Sequence, residues 1–145
     1  MKYAVTAGRI SATDAMLRLR GLLAEPADPL SEPYLLGTAA VVALWAGELD
    51  EAERLVERGL TGQRPDILHP VHGALLNTRL DIVAARPDYT RLLADPLLAV
   101  ADPTNAHAHA LSALVESGRV AEAECLAEAG VGHDKLPGVA EPPPL

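Results

Sequence analysis

Apolar residues return every three or four positions along most of this chain, and the stretches are separated by Gly, Pro, Ser and Asp. Ser11 with Asp14 three residues on forms a helix-start pattern, and Leu17, Leu19, Leu22 and Leu23 follow before the break at Pro26 to Pro29. This predicts a helix over about residues 11–24, preceded by a short one over 2–7. Glu32 and Pro33 suit a first turn, and the helix they open runs to residue 46, where Gly47 ends it. Asp50 and Glu53 read as a capping box for the next helix, with Ala52, Leu55, Val56 and Leu60 on one face and Glu51, Glu57 and Arg58 on the solvent side. A third pair is predicted over about 70–85 and 88–100, its second member interrupted at Asp95-Pro96. A fourth begins at Asp102-Pro103, turns at Ser117-Gly118 and continues over 120–129. Residues 132–145, with Pro137, Gly138 and Pro142 to Pro144, read as an extended Pro-rich tail. The predicted fold class is all-α, about four tandem antiparallel helical hairpins with no strand.

The hairpins repeat. Helix starts near Glu32, residue 68 and Thr104 are about 36 residues apart, and the turn glycines Gly47 and Gly118 are 71 apart. Gly47 is followed by Ala52, Val56, Gly59 and Leu60; Gly118 is followed at the same offsets by Ala123, Ala127, Gly130 and Val131. Gly8 precedes Leu17 and Leu22 in a weaker copy, and a degenerate pair around Arg86-Pro87 fills the gap between the other two.

Small, leucine and turn residues at these offsets resemble the tetratricopeptide repeat, a helical hairpin of roughly 34 residues. The segment from Leu44 through Trp45, Ala46, Gly47, Glu48, Leu49 and Asp50 to Leu55 carries the likeness best, and it is similar to the repeat region of large bacterial LuxR-type ATP-dependent regulators. The resemblance covers residues 1–131 and implies a single helical-repeat domain, an α-solenoid in which each hairpin covers its neighbour's apolar face. It does not extend to those regulators' other parts. The only lysines are Lys2 and Lys135, so no phosphate-binding Gly-x-x-x-x-Gly-Lys loop exists, and there is no basic recognition helix.

Composition narrows the function classes. Hydrophobic residues make up 49% of the chain, yet one Trp, three Tyr and no Phe are present, so the apolar mass is Ala, Leu and Val, suited to close-packed helices. A net charge of −8 without a basic cluster argues against nucleic-acid binding by this chain. The longest uncharged apolar stretch, residues 35–47, falls short of the roughly 20 residues a membrane span needs. No signal-peptide pattern is visible, and the lone Cys125 fits a reducing compartment, so a cytoplasmic location is expected, while the Ala- and Arg-rich style suggests a bacterial origin.

Chemistry has few places to reside. His69, His72, His107, His109, Cys125 and His133 are the candidate metal ligands, but their spacing matches no zinc signature, and His107 and His109 point to opposite sides of one helix. Neither a metal nor another cofactor is expected. Cys125 reads as a small core residue. No nucleophile turn is present, so the chain reads more as a non-enzyme than as an enzyme.

The family resemblance implies recognition on a concave face lined by the first helix of each hairpin. Counting back from Gly47, that stripe is Tyr34, Thr38, Val41 and Trp45; from Gly118 it is Asn105, His109, Ser112 and Glu116; the repeat period adds Asn77 and Asp81. Packing of Tyr34 and Trp45 against a neighbouring hairpin is the competing reading. The expected function is a regulatory scaffold binding a protein or peptide, with homo-oligomerisation left open. The alternative is a small helical enzyme or ligand carrier with a pocket near Trp45.

Overall fold

A computed structural model describes residues 1–63, 69–132 and 135–136. The chain forms two compact units, Met1–Ile82 and Val83–Leu145. Among the described residues all regular structure is helical. The first unit holds α1 (Lys2–Thr6), α2 (Ala12–Leu23), α3 (Glu32–Trp45), α4 (Leu49–Thr61) and most of α5 (His72–Ala85). The second holds the end of α5, α6 (Tyr89–Leu93), a 3₁₀ helix (Pro96–Ala99), α7 (Pro103–Glu116) and α8 (Val120–Ala129). No helix among the described residues is long and apolar enough to cross a membrane. His133, residue 68 and the tail from residue 137 lie outside the described residues.

Local sequence sets most boundaries. The Ser11 hydroxyl accepts the Asp14 N–H at 3.0 Å, capping α2. Asp88 accepts the Arg91 N–H at 3.1 Å at the start of α6, and Asp102 accepts those of Thr104 and Asn105 at 3.0 and 3.1 Å at the start of α7. Pro96, which lacks an N–H, ends the α-helical path after Leu93, and Asp95 caps the 3₁₀ helix through the Leu97 N–H at 2.9 Å. One expected start is corrected. The Asp50–Glu53 capping box does not open α4, which begins at Leu49 after Glu48. The turn at Gly47 delivers the chain into helical geometry before Asp50 is reached, so Asp50 sits inside the first turn, where its charge opposes the positive end of the helix dipole.

The three turn glycines are alike in detail. Gly8, Gly47 and Gly118 have φ of 68°, 77° and 79°. Each donates its N–H to the carbonyl three residues back, and the next residue donates to the carbonyl five back: Arg9 to Ala4, Glu48 to Ala43 and Arg119 to Leu114, at 2.9, 2.9 and 2.8 Å. This is the Schellman ending, which needs a residue at home with positive φ. Arg86-Pro87 reverses the chain without it, the Asp88 N–H instead donating to the Arg86 carbonyl at 2.9 Å.

In the first unit α3 is central, packed by α1, α2 and α4. Its Ala39, Ala40 and Ala43 join Met16 and Leu19 of α2, Ala52, Leu55 and Val56 of α4, and Ile82 of α5 in one buried cluster. Alanines at these positions let the helix axes approach closely. α5 reaches the α3–α4 hairpin through Leu75, which is fully buried. A Cβ placed on Gly59 would lie 3.1 Å from one Leu75 methyl and 3.7 Å from Leu36 Cβ, and one on Gly37 would lie 3.6 Å from Leu75. Gly59 therefore forms a notch for Leu75, which offsets the roughly 1 kcal/mol that glycine costs inside a helix. Gly130, which shares its place in the repeat, has φ of 82° and ends α8, so the same offset serves two different purposes.

Charged rims join neighbouring helices. Arg20 of α2 meets Glu48, Arg58 of α4 meets Glu32 of α3, and Arg79 of α5 meets Glu57 of α4 at 3.3 Å. All are substantially exposed, and each contributes at most about 1 kcal/mol. In the second unit Leu98, Ala106, Ala110, Leu114 and Leu126 are buried, and Leu136, beyond α8, is also buried.

Candidate functional site

Of the ten expected stripe residues, Tyr34, Trp45, Ser112 and Glu116 are exposed and the other six are half-buried. On α3, Leu36, Ala39, Ala40, Val42 and Ala43 are inside, whereas Tyr34 and Trp45 are 50% and 44% exposed and Thr38 and Val41 half-buried. Neither aromatic is buried in the core that α3 forms with α1, α2 and α4. Tyr34 does have a neighbour, the His69 ring, edge-on with centroids 4.8 Å apart. Asn77 and Asp81 are half-buried on the side of α5 away from Leu75 and Thr78. On α7, Asn105 and His109 are half-buried and Ser112 and Glu116 exposed, while Ala106, His107, Ala110 and Leu114 face inward. The first six of these residues belong to the Met1–Ile82 unit and the last four to the Val83–Leu145 unit.

The lower half of the α7 stripe forms one wall of a groove. This open groove of about 440 Å³ runs between α7 and α8, with Ser112, Glu116 and Glu124 at its edges and Leu111, Val115, Val120 and Ala127 in its floor. Val115 and Val120 are 54% and 51% exposed, a large apolar exposure for adjoining positions. Among the described residues the side chains of Ser112, Glu116, Glu124 and Glu128 make no hydrogen bond or ion pair. Glu51 and Glu122, by contrast, are matched. Arg54 holds the Glu51 carboxyl below its ordinary range through paired hydrogen bonds of 2.9 and 2.7 Å, and Arg119 lowers that of Glu122 in the same way. An apolar floor rimmed by unmatched carboxylates can take up an amphipathic, positively charged chain segment.

Two further concavities are less suggestive of recognition. One, of about 490 Å³ on the other flank of α8, is lined by Leu114, Leu126 and Leu136 with Cys125, Glu122 and Lys135. The other, of about 250 Å³, sits over the Glu32–Arg58 ion pair. Trp45 lines none of the three.

Cys125 is corrected from core to surface: it is exposed. Its place on α8 looks inward only if something covers that flank, and within the helix Ala123 and Leu126 are the residues turned to α7. Histidines divide by role. The Val71 N–H donates to His69 Nδ1 at 3.1 Å, which places the ring proton on Nε2, and Nε2 donates to the Leu30 carbonyl at 3.0 Å. His69 thus ties the start of α5 to the segment before α3. His72 Nδ1 is 2.9 Å from Gln63 Oε1. No group of three or more His, Cys, Asp or Glu among the described residues is arranged to hold a metal ion.

His107 and His109 do face opposite ways, and His107 is 8% exposed with Nδ1 buried and without a hydrogen-bond partner. An unpartnered buried ring nitrogen is a cost, whereas an apolar residue of similar size removes it. His107→Leu is therefore expected to leave stability unchanged or raise it by about 1 kcal/mol. A urea titration showing a loss of more than about 2 kcal/mol would mean that the imidazole has a partner in solution.

No protein-family model, curated protein or solved structure matches this chain.

The groove floor escaped the sequence. Val115 and Val120 read as interior residues by type, and at an offset of 71 they stand where the α3–α4 hairpin has the half-buried Leu44 and Leu49. The comparison between the two hairpins was the available signal.

Proposed function

We propose that the chain is a non-catalytic scaffold of stacked, tetratricopeptide-like hairpins that binds a protein or peptide, in a regulatory role in a bacterial cytoplasm. One observation carries this reading: the stripe of α7 left outside the packing, Asn105, His109, Ser112 and Glu116, is wholly polar and runs into an apolar groove whose carboxylates are unmatched. The recurrence of the same glycine turn at Gly8, Gly47 and Gly118 supports the repeat arrangement. Tyr34, Thr38, Val41 and Trp45 of α3, with Asn77 and Asp81 of α5, would be candidate contacts of the Met1–Ile82 unit taken by itself.

The reading predicts a basic partner. Binders recovered from a host lysate on the immobilised chain, then purified, should lose about tenfold in affinity toward the Glu116→Arg variant, because reversing a rim charge turns attraction into repulsion. The melting temperature should hardly move, since Glu116 is exposed and makes no internal contact whose loss would be felt. Chelators should change neither quantity. Unchanged affinity for every purified binder would remove the α7 stripe from the recognition surface.

A further inference from the structure

The α3–α4 hairpin shows what the α7–α8 hairpin lacks. The two correspond at an offset of 71: Gly47 and Gly118 end their first helices with φ of 77° and 79°, Ala52 and Ala123 are 0% and 5% exposed, and Leu55 and Leu126 are both buried. On α3–α4, the helix α5 is docked. Leu75 lies against Gly37 and Gly59, Ile82 joins the cluster that contains Ala40, Ala52 and Val56, and Leu44 packs against that cluster. Arg79 then reaches Glu57 at 3.3 Å.

The positions α5 touches, Gly37, Gly59 and Glu57, correspond to Ala108, Gly130 and Glu128, and the neighbouring cluster positions have open counterparts on α7–α8. Ala40, Leu44 and Val56 become Leu111, Val115 and Ala127, all lining the groove. Val56 is 1% exposed, but Ala127 is exposed and Val115 is 54% exposed. Glu57 becomes Glu128, which has no ion pair among the described residues.

Resting on the scaffold reading above, we infer that the α7–α8 groove binds an amphipathic α-helix of a partner protein, seated as α5 is seated on α3–α4. Its apolar residues repeat like Val71, Leu75, Thr78 and Ile82, at i, i+4, i+7 and i+11, which keeps them on one face. It carries arginine or lysine at the Arg79 position, opposite Glu128, and further positive charge toward Glu116 and Glu124. A second copy of this chain is a poor occupant. The apolar faces of its own α2, α4 and α5 are already buried in its core, and two chains of charge −8 repel.

The test uses the full chain and a synthetic peptide of residues 71–85, held helical by a lactam between Gly73→Lys and Asn77→Asp, which lie off the docking face. Amide NMR titration should give saturable shifts centred on Val115, Val120 and Ala127. Glu128→Arg should weaken the peptide about fivefold, and a peptide carrying Arg79→Glu should recover that loss on the variant. Absence of saturable shifts, shifts centred elsewhere, or indifference to Glu128→Arg overturns the inference. Sedimentation showing a dimer in which these same amides are protected also overturns it, in favour of self-association. If the peptide fails while Glu116→Arg still loses a purified partner, the scaffold reading stands without this inference; if both fail, both fall.

Discussion

Truncating Leu75 to alanine is expected to cost about 2–5 kcal/mol of stability, the largest loss of any single change considered. Leu75 is completely buried, and its methyls occupy a notch that exists because positions 37 and 59 carry no side chain. Two glycines cannot collapse to fill the void, so the cavity should persist and the loss should sit at the upper end of the range. Urea unfolding would show a lower midpoint with an unchanged slope, since the exposed area on unfolding hardly alters. Coupling provides the sharper check. A Cβ at Gly59 would come within 3.1 and 3.2 Å of Leu75, so Gly59→Ala should gain little in the parent and distinctly more beside Leu75→Ala, where it fills the hole and improves helix propensity. Additivity of the two changes, or a loss below about 1 kcal/mol for Leu75→Ala, would show that α5 does not dock on the α3–α4 hairpin in solution.

Ala52→Leu should lower stability by about 1–3 kcal/mol through overpacking, and the equivalent Ala123→Leu by clearly less. Both alanines sit where a second helix crosses its hairpin partner, but their surroundings differ. Ala52 is fully enclosed, with Leu55, Val56 and Ala40 in the same cluster. Ala123 borders the open groove beside Val120 and Ala127, where a longer side chain has space to turn. Thermal melts of the two variants measure this directly. Equal losses would mean that the α7–α8 groove is closed in solution, and no loss for Ala52→Leu would count against the correspondence between the hairpins.

How much of this was legible from residues alone can be followed position by position. Helix ends marked by Ser11, Asp88, Asp95 and Asp102 are legible because a side-chain oxygen one turn from unpaired N–H groups has a strong local interaction that does not depend on the rest of the chain. Gly8, Gly47 and Gly118 are legible for the same reason, positive φ being a property of a few residues. The Asp50–Glu53 box failed because two local signals compete there, and the glycine turn just before it settles the chain into helix first. The α7 stripe is legible as a polar run at helical spacing. Its continuation into a groove is not, because Val115 and Val120 have the composition of a core.

What the sequence by itself determined is therefore the all-helical class and the reversals at the glycines, since both follow from interactions within a turn or two of helix. Tertiary structure alone decided which apolar positions found a cover. Val56 and Ala127 occupy the same place in their repeats, yet one is buried and the other exposed, and Gly59 takes in Leu75 whereas Gly130 ends a helix. Burial depends on the presence of an opposing surface many residues away, and hydrophobic attraction is non-directional, so a residue's type records its readiness to be covered but not whether anything arrives to cover it.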